Sequence, residues 1–357
     1  MEESTSNTNT KHSKNIWKIV TIVLFALIFL LIGFDYKNRN DFKLWNRSSL
    51  ALSQLCEYVE DVTDNSSINY IPKEDRIAVF DMDGTLYGEK APIYVDWWIF
   101  KYRALEDPNY QASEDIKQTA KKIELAAQTG KIPEELEMEQ ALAAAKAYAG
   151  MSIDEYSQYV TDFISKQAIG FEGLTYAKAW YLPMLEVIDY LNKNDFTVYM
   201  CSGTDRFLCR ALAKDMVNIE EEHIIGMDVK LEGSGQNGVD GLDYTYTSDD
   251  EVVRTDQLII KNVKANKVVQ VAQEIGRKPV LSFGNSSGDQ SLAMYVTSDN
   301  PYHSAVFMLV ADDEKREYGN IQKATEMKQK WENLGWNVIS MNDDFLTIYG
   351  DNVKRKP

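Results

Sequence analysis

The run Arg76–Phe80 (RIAVF) closes on Asp81-Met82-Asp83-Gly84-Thr85, and this junction constrains the fold more than any other stretch of the chain. An apolar run without polar alternation reads as a strand buried on both faces, and such strands belong to sheets covered by helices. The strand stops abruptly, because Asp-Gly favours a turn and two acids stand where the apolar pattern ends. Strand-like runs return at Phe196–Cys201, in a Gly-rich, hairpin-like region around Met227–Tyr246, at Pro279–Phe283 and at Ala305–Ala311. Helical patterns separate several of them, notably Ala265–Ile275 and Asn320–Leu334, and Leu50–Val62 has helical spacing ahead of the first strand. Strands alternating with helices indicate a parallel α/β sheet.

From about Ala91 to Leu191 the periodicity is almost wholly helical, broken near Gly130-Lys131-Ile132-Pro133, Gly150 and Gly170. A helical block between the first two strands reads as an inserted cap. The expected class is therefore α/β: a Rossmann-like, doubly wound parallel sheet with an inserted α-helical cap and an N-terminal transmembrane helix. The core is expected to take residues 73–90 and 192–357, and the cap 91–191, with 35–72 as a juxtamembrane segment.

The transmembrane expectation rests on residues 16–34, IWKIVTIVLFALIFLLIGF, interrupted only by Lys18 and preceded by a polar tail at 2–15. As a helix this stretch is about 28 Å long, close to the thickness of a hydrocarbon core. It is apolar all round, unlike an amphipathic surface helix. A cleavable signal peptide would need a small-residue site after the apolar run, where the chain reads Gly33-Phe34-Asp35-Tyr36. Lysines and arginines flank both ends, so charge gives no orientation. The short tail favours an inner N-terminus, hence a single-pass membrane protein with an extracytoplasmic domain.

Composition narrows the chemistry. With 44% hydrophobic and 26% charged residues the chain is globular. Its formal charge of −17, from 55 acids against 38 bases, excludes nucleic acid or anionic lipid as a partner of the bulk surface. Cys56, Cys201 and Cys209 match no zinc spacing and are odd in number. Only His12, His223 and His303 are available. Reactive groups must come from carboxylates, hydroxyls, Lys and Arg.

Four segments carry candidates. Asp81 and Asp83 stand at a strand's carboxyl end, where doubly wound sheets bind ligands; one carboxylate can attack while the other handles protons. Ser202-Gly203-Thr204 follows the hydrophobic strand FTVYMC and offers a hydroxyl and open backbone N–H groups to phosphate oxygens. Lys261, Lys264 and Lys267 begin a helix, at the positive end of its dipole, where a bound anion would relieve them. Gly284-Asn285-Ser286-Ser287-Gly288-Asp289 follows the strand PVLSF with oxygen donors suited to Mg²⁺. Singly, each also reads as a turn or a solvated charge cluster. Their shared order along the chain is the stronger signal.

Together these motifs resemble the haloacid dehalogenase superfamily of phosphohydrolases, most closely its phosphoserine-phosphatase-like branch, over residues 73–311. Asp81, Asp83 and Thr85 meet the family's Asp-x-Asp-x-Thr motif. Ser202 meets the second motif, and Lys264 best meets the lysine motif, with Lys261 and Lys267 as alternatives. The fourth motif, Gly-Asp-x-x-x-Asp, departs: Asn285 replaces its first acid while Asp289 keeps the second. The resemblance implies an Mg²⁺-dependent phosphomonoester hydrolase. Asp81 would be the nucleophile, Asp83 the acid and then the base, with Ser202, Gly203 and Lys264 on the phosphate. The metal would take Asp81, the Asp83 carbonyl, Asn285 and Asp289, the last becoming its main carboxylate. Glu89 and Arg206 could read an amine or a carboxylate on a small phosphorylated metabolite, phosphoserine-like or phosphocholine-like, the latter suggested by Trp97, Trp98, Trp180 and Tyr181. The alternative is a membrane-anchored binding protein of this fold with little or no turnover. A cysteine-phosphatase reading through Cys201 and Arg206 fails on spacing.

Overall fold

The structure, a computed structural model, describes residues 41–89 and 93–357. The chain divides into two units, Met1–Lys43 and Leu44–Pro357, and the second carries the architecture that follows. The apolar stretch at 16–34 lies outside the described residues. Among the described residues no helix is long and apolar enough to cross a membrane, a finding that stands against the single-pass, extracytoplasmic expectation.

After α1 (Leu50–Thr63), which starts at the Ser49 cap, β1 (Ile77–Phe80) enters the middle of a seven-stranded sheet and is buried at every residue. Four helices follow: α2 (Val95–Leu105), α3 (Glu114–Thr129), α4 (Leu136–Ala147) and α5 (Ile153–Ile164). Helix α3 stops where Gly130 turns left-handed, and α5 starts on a capping box in which Ser152 and Glu155 satisfy each other's backbone N–H groups. A short β2 (Phe171–Glu172) precedes α6 (Leu182–Lys193), which packs on the sheet rather than in the helical lobe.

The chain then runs β3 (Thr197–Asp205), α7 (Arg206–Ala213), β4 (Ile224–Gly233), β5 (Val252–Ile260) and α8 (Ala265–Ile275). It continues through β6 (Leu281–Gly284), α9 (Gln290–Thr297), β7 (Ala305–Val310), α10 (Ile321–Asn333), β8 (Asn337–Ser340), α11 (Met341–Asp344) and β9 (Lys354–Arg355). The sheet order is β5-β4-β3-β1-β6-β7-β8, and β2 pairs with β9 separately. Within the seven-stranded sheet all neighbours are parallel except β4 and β5, and the separate β2–β9 pair is antiparallel. Strand β5, on the sheet edge, has mostly half-buried or exposed residues. Its mixed sequence VVRTDQLII does not show the continuous apolar run by which the central strands are legible.

This order places the site. The chain winds outward from β1 through β3 and β4, then crosses back to β6 and winds the other way through β7 and β8. The topological switch point lies between β1 and β6, and in such sheets the ligand crevice opens outside the strands' carboxyl ends. Below it the rings of Phe80, Phe283 and Phe307 occupy facing register positions on β1, β6 and β7, with successive centroids 4.1 and 5.3 Å apart. This stack makes a rigid floor beneath the loops.

The helical lobe is fastened to the sheet through β5. The Gly150 N–H donates to the Arg254 carbonyl at 2.8 Å, and the Arg254 N–H to the Met151 carbonyl at 2.9 Å. The Arg254 side chain, fully buried, pairs with Asp205 at 2.6 Å while its guanidinium lies over the Tyr156 ring. Asp205 in turn caps α7 through the Phe207 and Leu208 N–H groups.

Candidate active site

At the end of β1 the Met82 carbonyl accepts from the N–H groups of Thr85, Leu86 and Tyr87, and this tight turn holds both aspartates over the strand ends. Gly84 takes φ +81°. A Cβ there would sit 1.9 Å from Asn285 Nδ2, so only glycine lets the β1 and β6 loops close on each other.

Asp81 is buried, and its Oδ1 accepts from Lys267 Nζ at 2.5 Å. Its Oδ2 has a long contact, 3.4 Å, from the Thr85 hydroxyl. Burial, then the charge of Asp289, pushes the Asp81 carboxyl up to about 7 against the opposing pull of Lys267. Lys267 also reaches Asp289 Oδ1 at 2.7 Å, and the two carboxylates hold its ammonium well above the usual lysine range in spite of burial.

Lys264, the expected phosphate lysine, instead lies at the cavity mouth as the N-cap of α8, exposed and with φ +55°. Lys267 sits on the first turn, and side chains on a helix tilt toward its N-terminus. That tilt carries its ammonium back to the strand ends. The lysine that contacts the aspartates is therefore Lys267, an alternative in the sequence reading.

Asp83 differs from Asp81. Its Oδ2 accepts from the Thr204 hydroxyl at 2.8 Å, while its Oδ1 is buried without a partner. Burial, then Asp96 and Asp81, raises its carboxyl well above the ordinary range, which favours its protonated form. Two neighbouring carboxylates thus have different roles available, one poised to ionise against Lys267 and one to donate a proton.

Ser202 is fully buried beside Asp83, 3.5 Å away, and does not line the cavity; Gly203 and Thr204 do. The strand end is clamped by Lys261, whose Nζ donates to the Gly203 carbonyl at 2.8 Å, and by Asn262, which donates to the Ser202 carbonyl.

In the β6 loop Asp289 is fully engaged. Its Oδ2 accepts from the N–H groups of Asn285 and Ser286 and from the Ser286 hydroxyl, each at 3.1 Å, and its Oδ1 from Lys267. It organises the loop and holds Lys267, which corrects its expected role as the main metal carboxylate. Asn285 Nδ2 donates to Glu89 Oε2 at 2.9 Å, and Glu89 Oε1 accepts from the Tyr94 hydroxyl at 3.2 Å. Arg206 lies outside the cavity, paired with Asp228 and Glu274 at 2.8 Å each, and cannot serve as a substrate reader there. Cys201 is buried, and burial pushes its thiol up to about 11, which disposes of the cysteine-nucleophile reading.

These groups open into a cavity of about 300 Å³. Its cap-side wall adds residues that sequence reasoning missed, Tyr94, Asp96 and Glu137, and the core helix α10 adds Lys323. Asp96 is 5% exposed with Oδ1 unpartnered, and burial pushes its carboxyl up to about 6. In sequence it is an ordinary acid in a helix's first turn, indistinguishable from a dipole-stabilising residue. Of the four aromatics picked out in sequence only Trp97 lines the cavity; Trp98 is not part of its wall, and Trp180 and Tyr181 are core.

A divalent cation finds a suitable donor set. Asp81 Oδ2, the Asp83 carbonyl and the Asn285 amide oxygen are hard oxygen donors of the kind Mg²⁺ takes with retained waters, and the unpartnered Asp83 Oδ1 marks polar capacity left unused within the protein. No cluster of three or more His, Cys, Asp or Glu suited to a metal occurs among the described residues, so such an ion would depend on a carbonyl and an amide.

No family model matches the chain, and no curated protein matches its sequence. Among solved structures, cytosolic 5'-nucleotidase IIIB bound to cytidine is similar at 12% identity over 82% of this chain and 86% of that one, with a TM-score of 0.48. A phosphoserine phosphohydrolase-like protein from Francisella tularensis subsp. tularensis SCHU S4 is similar at 13% identity, over 74% and 94% of the two chains, with a TM-score of 0.40. A conserved protein of unknown function from Anaerococcus prevotii DSM 20548 reaches 12% identity, 87% and 98% coverage, and a TM-score of 0.49. With these TM-scores below one half, the functional reading rests on the residues of this chain rather than on these likenesses.

Proposed function

We propose that this protein is an Mg²⁺-dependent phosphomonoester hydrolase of the haloacid dehalogenase type, acting through an aspartyl-phosphate on Asp81. One observation carries the reading: Asp81 keeps one oxygen on the buried Lys267 and lines the cavity, with the buried Asp83, whose carboxyl is raised well above its ordinary range, beside it. Asp81 Oδ2 attacks phosphorus in line, and the bond to the ester oxygen breaks. Asp83 donates its proton to the departing oxygen and so becomes a base. It then takes a proton from water, whose oxygen attacks phosphorus and releases phosphate from Asp81. Lys267 balances charge on Asp81 throughout, and Gly203 and Thr204 border the space for the equatorial oxygens. A bound Mg²⁺, held by Asp81, the Asp83 carbonyl and Asn285, would supply electrostatic stabilisation of the phosphoryl group.

The cap-side wall suggests the leaving group. Asp96 and Glu137 are anionic, and Tyr94 and Trp97 are aromatic with centroids 5.5 Å apart. Such a wall suits an ammonium group, as in phosphoserine-like or phosphocholine-like esters.

The test is hydrolysis of p-nitrophenyl phosphate and a panel of amino-bearing and neutral alkyl phosphates, with and without Mg²⁺. Wild type should turn over with Mg²⁺, and Asp81→Asn should fold but neither turn over nor retain acid-stable phosphate. Activity of Asp81→Asn within tenfold of wild type would sink the mechanism. Binding of the esters without turnover by wild type would favour the binding-protein alternative.

A further inference from the structure

We infer that Glu89 fixes the amide of Asn285 so that its oxygen, and not its nitrogen, serves the metal. The inference rests on the metal-dependent reading above but concerns a separate question, how an amide works where an acid is expected. A carboxylate offers two equivalent oxygens to a cation. An amide offers one, and its other end is an NH₂ group with two donors that would repel the ion. An amide ligand in that place therefore needs its orientation set from outside.

Glu89 sets it. An ionised carboxylate only accepts hydrogen bonds, so Glu89 Oε2 can face Asn285 only through Nδ2, at 2.9 Å, and the planar amide then turns Oδ1 away from Glu89. Glu89 is held in its own place by the Tyr94 hydroxyl on Oε1. The Asn285 backbone is anchored by its N–H on Asp289. The space is reserved as well: a Cβ on Gly84 would lie 1.9 Å from Asn285 Nδ2 and 2.5 Å from Glu89 Oε2. Glu89, Asn285 and Asp81 line the same cavity, so Glu89 also returns to the site the negative charge that Asn285 lacks. Glu89 is a positioning residue, of the kind whose loss typically lowers metal affinity about 10–100-fold.

The test is calorimetric titration of Mg²⁺ into the substrate-free protein, with Glu89→Gln, Asn285→Asp and the double variant, each checked for folding by circular dichroism. In the native background Glu89→Gln should weaken Mg²⁺ binding about tenfold or more, because glutamine neither carries the charge nor enforces one amide orientation. In the Asn285→Asp background the same change should be neutral or should strengthen binding, because the introduced carboxylate needs no orienting and is relieved of a neighbouring charge. Tyr94→Phe, a milder perturbation, should weaken binding in the native background only. Equal losses from Glu89→Gln in both backgrounds, or none in the native one, overturn the inference. If wild type binds no Mg²⁺ at millimolar concentration, both the inference and the metal-dependent reading fall, whereas Mg²⁺ binding indifferent to Glu89 defeats only the inference.

Discussion

Replacing Lys267 with methionine should damage stability and catalysis together, because this side chain is the cation between two buried carboxylates. Its Nζ lies 2.5 Å from Asp81 and 2.7 Å from Asp289, and the three side chains are only 3%, 9% and 4% exposed. Methionine fills nearly the same volume, so lost packing is a minor effect. Two carboxylates are then left facing each other without a counter-charge, and breaking a buried pair in this way costs about 3–5 kcal/mol. One acid relieves the repulsion by taking a proton. Asp81 is already pushed up to about 7 with Lys267 present, so without the lysine the nucleophile is protonated at neutral pH. Removing a pre-organised charge at a reacting centre typically lowers kcat about 10²–10³-fold. Lys264→Met is the control: it is exposed at the mouth of the cavity, and its stability should move by no more than about 0.5 kcal/mol. Urea denaturation and initial rates with p-nitrophenyl phosphate report the two quantities. A Lys267→Met protein with kcat within tenfold of wild type, beside an inactive Lys264→Met, would show that the lysines had been assigned the wrong way round.

Asp83→Asn should slow alkyl phosphates far more than p-nitrophenyl phosphate, since the poorer leaving group needs the proton; equal losses for both would argue against its acid role. Gly84→Ala should disrupt the junction of the β1 and β6 loops, because its Cβ would clash with Asn285 in a backbone held at φ +81°; wild-type thermal stability and Mg²⁺ binding would contradict this. Arg254→Met strands Asp205 without its buried partner and should destabilise the domain by about 3–5 kcal/mol in urea. A change below about 1 kcal/mol, within the range of ordinary substitutions, would mean that this pair does not fasten the helical lobe.

The central strands were legible because they are mostly apolar in a sheet covered on both faces. The turn at Asp81-Met82-Asp83-Gly84 was legible because Asp-Gly ends a strand wherever it stands. Strand β5 was not, since an edge strand leaves polar side chains in solvent and loses the apolar signature. The choice among Lys261, Lys264 and Lys267 could not be made from spacing: three residues near one helix start differ only in direction, and direction appears once α8 is laid against the strands. One lysine then meets the aspartates, one clamps the Gly203 carbonyl and one faces the mouth. The same holds for Asp289, whose acid is plain in sequence but whose two oxygens are claimed by the loop and by Lys267. Asp96, Glu137 and Lys323 carry no local signal, because they reach the cavity from separate helices. Local pattern therefore determined the strands, the turn and the chemical kinds of group available at their ends. Only the tertiary structure decided which of those groups touch, because contact depends on the directions of side chains brought together across a sequence separation of 186 from Asp81 to Lys267.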